Sequence, residues 1–165
     1  MAFNGMIETV KSEDLTSFST LPLYSVGLKH VSSGNEYVYV YNGNASVAIG
    51  TGKYCVLEPL GTSMSSGYTV TVSNASLNGF MIGVAQNTIN ASTYGWVLSK
   101  GLSLIALDSG EVSMNAGDRL TLGTTGGWVT APAVSHATGG IFGYAINSLV
   151  TTVGTGKARI FSYLV

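Results

Sequence analysis

One segment constrains the fold more than any other: GFMIGVAQNTINASTYGWVLSKG, residues 79–101. Phe80, Ile82 and Val84 alternate with Met81, Gly83 and Ala85, which is the period of a strand. Asn87, Asn90, Ala91 and Ser92 then supply turn chemistry, and Tyr94 to Leu98 restarts a β-rich run that Lys100-Gly101 closes. A glycine inside a strand forfeits packing, so it marks a bend or a close approach of another backbone. The pattern returns further along the chain. Gly79, Gly83, Ala85 and Asn87 recur as Gly139, Gly143, Ala145 and Asn147, and Gly95-Trp96-Val97 is echoed at Gly127-Trp128-Val129. Two strands of this kind predict a small, strongly curved β-barrel or sandwich. None of their side chains is chemically reactive.

The flanking sequence reads the same way. Tyr37, Tyr39 and Tyr41 alternate with Val38 and Val40, which places a tyrosine stripe on one strand face and valine on the other. Asn42-Gly43-Asn44 predicts a hairpin turn into SVAI (46–49), and Gly50-Thr51-Gly52 turns again into KYCVLE (53–58). Further runs follow at 68–72, 102–107, 111–114, 119–122, 128–131, 141–147 and 158–165, with a turn at Asp108-Ser109-Gly110 and another at Asn115-Ala116-Gly117-Asp118. This amounts to roughly ten to twelve short strands with turns every 8–12 residues, the pattern of a sandwich or barrel. The expected class is all-β, a compact single domain over 27–165.

Residues 1–26 differ. Phe3, Met6, Ile7, Leu15, Phe18, Leu21 and Leu23 are scattered without a period among Glu8, Lys11, Glu13 and Asp14, and Pro22 favours an extended backbone before it. Ser12 is placed to cap one helical turn over Glu13–Phe18. The segment is either a frayed end or, with so many large apolar residues, an extended arm lying on a neighbouring subunit.

Charged residues are only 9% of the 165, against roughly a quarter in an average soluble domain, and the formal net charge is −1. Monomers use charge to stay apart and to blunt sheet edges, so this chain is expected to bury much of its surface in an assembly. The balance supplies no electrostatic footprint for nucleic acid. No run reaches the ~18 apolar residues of a membrane helix. The N-terminus lacks a basic start and an apolar core, so no secretion signal is expected.

Reactive constellations are sparse. Leu107-Asp108-Ser109-Gly110 follows an apolar strand as an aspartic-protease motif does, but Glu111 stands where such enzymes take a small residue, and Asp-Ser-Gly is ordinary turn material. GTGK at 50–53 and 154–157 lacks the spacing and the following Ser or Thr of a phosphate loop. His30 and His136 have no second ligand at metal spacing. GTSMS at 61–65 is not a nucleophile elbow, and the sequons at Asn44, Asn74 and Asn90 sit in turn-rich polar segments. Cys55 stands alone in a strand and reads as a small buried hydrophobe. Neither catalysis, a cofactor nor a metal is expected. Trp96 and Trp128 either fill the core, where each N–H needs a partner, or stand exposed as platforms. With Tyr94 beside it, Trp96 is the better interface anchor. The candidate interface residues are Phe3, Ile7, Leu21 and Tyr24 in the arm and Tyr94, Trp96 and Trp128 in the body.

Four segments carry a family resemblance: GNEYVYVYNGNASVAIGTG (34–52), GVAQNTINASTYGWVLSKG (83–101), NAGDRLTLGTTGGWV (115–129) and GYAI (143–146). Together they resemble the decoration, or cement, proteins on the heads of tailed phages. The resemblance implies a β-tulip or barrel fold and a homotrimer on the outer capsid surface that bridges capsomers of the major capsid protein. It carries over no catalytic residue and no motif for the interface. The alternative reading, from another class, is a glycan- or receptor-binding head protein that uses its aromatic rings as platforms.

Overall fold

The fold comes from a computed structural model, which describes residues 10–57, 68–72, 81–108, 113–123, 127–130, 141–148 and 155–161. Among them, one 3-10 turn at Asp14–Thr16 precedes eleven strands. These are β1 (Phe18–Ser19), β2 (Lys29–Ser32), β3 (Asn35–Asn42), β4 (Tyr54–Leu57), β5 (Thr69–Val72), β6 (Met81–Ala85), β7 (Tyr94–Ala106), β8 (Arg119–Leu122), β9 (Trp128–Thr130), β10 (Gly143–Ala145) and β11 (Thr155–Phe161). The chain is all-β, as its periodicity predicts.

A five-strand barrel closes in the order β3-β5-β4-β6-β7, with β7 returning to β3. Every contact in it is antiparallel except β3–β5. The alternation in β3 explains the closure. Val38 and Val40 point inward among Ile49, Cys55, Val70, Ile82, Ile89 and Val97. The tyrosines point outward, and Tyr39 is itself buried under other residues.

A second ring repeats the first. The far half of β7 pairs with β11, then come β10, β8 and β9, and β9 returns to the end of β7 through a parallel bridge between Leu107 and Trp128. The connectivity matches strand for strand, including the single parallel contact between first and third strands. The registers match too: Cys55 faces Gly83 in one ring and Leu120 faces Gly143 in the other. Gly52 N–H donates to Ala85 O (2.7 Å) and Ala85 N–H to Lys53 O (3.0 Å), while Gly117 N–H donates to Ala145 O and Ala145 N–H to Asp118 O (both 2.9 Å). Gly52 and Gly117, in the two equivalent turns, both have positive φ, +78° and +92°. The recurrence of Gly83 and Ala85 at Gly143 and Ala145 therefore marks a duplicated barrel. The Gly-Trp-Val echo does not, because Trp96 lies in β7 whereas Trp128 occupies the β9 position that Val70 holds in the first ring.

Three local expectations are corrected. Lys100-Gly101 does not close a strand: β7 runs through it, with Gly101 at φ +125°. A side chain there would strike Asn35, whose Oδ1 accepts the Leu102 N–H at 2.9 Å, so the glycine bends one long strand from the first ring into the second. Asn42-Gly43-Asn44 is not a hairpin. The Asn42 side chain is buried and donates to the carbonyls of Val47, Ile89 and Asn90, while Asn44 Oδ1 accepts the N–H groups of Ser46 and Val47, so side-chain bonds replace a ladder and only Ile49 bridges, to Ile89. Ser12 caps nothing; Asp14 Oδ2 instead accepts the Lys11 N–H at 2.9 Å.

The rings pack as one body. Tyr54, Val56, Met81, Val84 and Leu98 share a core with Ile105, Leu107, Leu120, Trp128 and Ile160. Trp128 Nε1 donates to Gly52 O (3.1 Å), its ring meets Tyr54 edge-on at 5.8 Å, and the Tyr54 hydroxyl donates to Gly123 O.

Candidate interface surface

The outward side of the first barrel is aromatic because of strand register. Tyr39 lies opposite Trp96, and Tyr41 opposite Tyr94. The ring centroids of Tyr39 and Trp96 are 5.1 Å apart, those of Tyr41 and Tyr94 4.8 Å, and Tyr24 closes over both Tyr39 (5.3 Å) and Trp96 (5.4 Å). Such tilted and edge-on pairs add about 0.5–1.5 kcal/mol each beyond the area they bury.

Residues 10–28 lie on this face. Leu15 is buried against Tyr39 and Trp96, with Val10, Tyr24, Val26 and Leu28 around it, and β1 pairs Phe18 with Gly95 and Ser19 with Tyr94. The Tyr24 hydroxyl donates to Asp14 Oδ2 at 2.5 Å, and the Leu23 N–H donates to the Tyr39 hydroxyl at 3.2 Å. The Tyr24 hydroxyl, and next the Lys11 amide, hold the Asp14 carboxyl below its ordinary value. Over 10–26, then, the chain departs from the expected arm: its inner side covers its own barrel, because Tyr39 and Trp96 would otherwise be bare. Its outer side is another matter. Phe18, Leu21 and Leu23 are 48%, 71% and 54% exposed. The cleft between Phe18, Leu23, Tyr24 and Tyr94 has no room for a water-sized molecule, which suits a docking face better than a ligand pocket.

The predicted candidates thus separate. Leu21 is exposed, Tyr24 and Tyr94 are half-buried, and Tyr24, Tyr94 and Trp96 come together. Trp96 is only 2% exposed, and among the described residues its Nε1–H has no acceptor. Trp128 is fully buried at the joint between the barrels, so neither indole is an exposed platform. Phe3 and Ile7 lie outside the described residues, as do Ser109-Gly110, His136, Asn74 and residues 61–65. Sequence reasoning missed Tyr39 as the centre of the cluster, although its place in the tyrosine stripe was the signal. It also missed exposed Leu102, Tyr144 and Ile146 on the second barrel.

Other chemistry is confined. Asp108 is buried, its N–H donates to Trp128 O at 2.8 Å, and Gly123 and Gly127 press on it where any side chain would collide. Burial pushes the Cys55 thiol up to about 12. Among the described residues no group of His, Cys, Asp or Glu is arranged to hold a metal ion, and no helix is long and apolar enough to cross a membrane.

No protein-family model and no curated protein matches the chain. Among solved structures it is similar to the N base of head fiber gp8.5 in bacteriophage phi29, with a TM-score of 0.51 and 17% identity over 75% of this chain and 93% of that one. At this identity the likeness is one of fold.

Proposed function

We propose that this chain is a non-catalytic structural protein of a tailed-phage head. It stands on the outer capsid surface as a homotrimer, bridges capsomers of the major capsid protein, and so decorates and stabilises the shell. The single observation that carries this reading is the fold shared with the base of a phage head fibre, across nearly all of that domain. A charged fraction of 9% and an outer face with exposed Phe18, Leu21 and Leu23 support it, since both suit a surface covered in an assembly. Apolar contacts of about 25 cal/mol per Å² are individually modest, but they add up when repeated around a lattice. The glycan-binding alternative loses ground because Trp96 and Trp128 are buried. Co-sedimentation with heads of the parent phage stripped of this protein tests the proposal. Saturable binding that raises the temperature at which heads release DNA is expected; no binding at micromolar protein would refute it.

A further inference from the structure

The duplication exposes an asymmetry. On the first barrel, residues 10–28 cover the outer face of β3 and β7. On the second barrel the outer side of the far half of β7, β11, β10 and β8 carries exposed side chains instead. Register sets Leu102, Arg159, Tyr144 and Arg119 in one row across four strands, the row that matches Tyr37, Leu98, Val84 and Tyr54 at the joint side of the first barrel. The next row holds Leu104 and Lys157, which match Tyr39 and Trp96 beneath residues 10–28, with the Ile146 N–H donating to Lys157 O at 2.9 Å. Leu102, Tyr144 and Ile146 are 48%, 43% and 49% exposed, and Arg119, Lys157 and Arg159 are exposed cations. The ion pairs among the described residues lie elsewhere, at Lys11–Glu13 and Lys100–Glu36. Asp118, the acid beside the row, turns its Oδ2 to the Asn115 N–H at 2.7 Å.

The complement is in the same chain. The outer side of the N-terminal segment offers Phe18, Leu21 and Leu23 with exposed Glu13, and residues 1–26 carry Glu8, Glu13 and Asp14 against Lys11 alone. Its inner side already covers Tyr39 and Trp96, the first-barrel counterparts of Leu104 and Lys157. We infer that the apolar, basic face of the second barrel is the docking site for the outer side of this segment in a second copy. The contact joins two different patches, so it propagates head to tail until a ring closes. It deepens the oligomer proposed above and rests on that part of the reading, not on head binding.

Sedimentation equilibrium of the full chain tests it. The wild type should sediment as a multiple of 17.1 kDa. Lys157→Glu with Arg159→Glu should weaken association at least tenfold, and so should Glu13→Lys with Leu21→Lys; Lys29→Glu, on exposed β2, should leave it unchanged. In an equimolar mixture the two variants should associate with each other more tightly than either does with itself, because the reversed face of one meets the reversed segment of the other, although an odd-numbered ring of the two cannot close. Retained assembly in the Lys157/Arg159 variant, or a mixture that associates no more tightly than the separate variants, overturns the inference. So does a wild type that is monomeric at micromolar concentration. If the variant still assembles but no longer binds heads, the face belongs to the capsid and the inference is likewise wrong. Head binding by the wild type is scored separately, so failure of the functional reading is distinguishable. Should a variant misfold by circular dichroism, the wild type still decides: association must weaken as salt rises, and salt-independent association refutes the contact.

Discussion

The two barrels share a connectivity and differ in what they show to the outside. Where the first sets Tyr39 opposite Trp96, the second sets Leu104 opposite Lys157 at the equivalent register. The first face is aromatic and lies under residues 10–28; the second is a mixture of aliphatic and cationic side chains with exposed Leu102 and Tyr144. What the barrels keep in common is inward or in the turns: the Gly52 and Gly117 turns, Gly83 and Gly143, Ala85 and Ala145. Connectivity depends on inward packing and turn geometry, so outward positions are free to diverge and to take on separate interactions. The tryptophans repeat the lesson. Trp128 sits in the joint with its N–H bonded to Gly52 O, whereas Trp96 sits beneath the segment with its N–H unpaired among the described residues.

The largest effect is expected at the joint. Trp128→Ala removes the largest fully buried side chain and its bond to Gly52, and should cost about 3–5 kcal/mol, enough to abolish cooperative folding in urea. A loss below ~1 kcal/mol would mean that the barrels hold separately and that the shared core contributes little.

Gly101→Ala comes next. It combines a strained backbone at φ +125° with a collision against Asn35, and should cost about 1–3 kcal/mol in the same measurement. An unchanged urea midpoint would show that β7 does not need this bend to serve both rings.

Trp96→Phe should be milder, within about 1 kcal/mol, because the lost contact is offset by removing an N–H that has no acceptor. Trp128→Phe, which strips a donor from Gly52 O, should cost more. If the two phenylalanine variants are equal, the hydrogen-bond distinction between the indoles is wrong.

The smallest effect concerns the covering segment. Tyr24 holds the Asp14 carboxyl below its ordinary value of 3.8, so this contribution is present above that pH and is lost as pH falls through the depressed value. Acid should therefore loosen residues 10–26 while the barrels persist, read as faster amide exchange confined to the segment. Tyr24→Phe should flatten that dependence; exchange that stays pH-sensitive in the variant would place the switch elsewhere.

Much of this was legible in residue order. Val38 and Val40 against Tyr39 and Tyr41 set which side of β3 faces inward, because strand period is a local property. The recurrence of Gly83 and Ala85 was visible but read as two curved strands of one barrel or sandwich, and isolated Cys55 read correctly as a buried hydrophobe. Tertiary structure decided the rest. The parallel contact of β3 with β5, the passage of β7 through Gly101, the place of Trp128 in the joint and the inward side of residues 10–26 all join residues distant in sequence. A local pattern says which side of a strand is apolar. Which other apolar side it meets depends on how all of them close together, and that is settled only when the rings form.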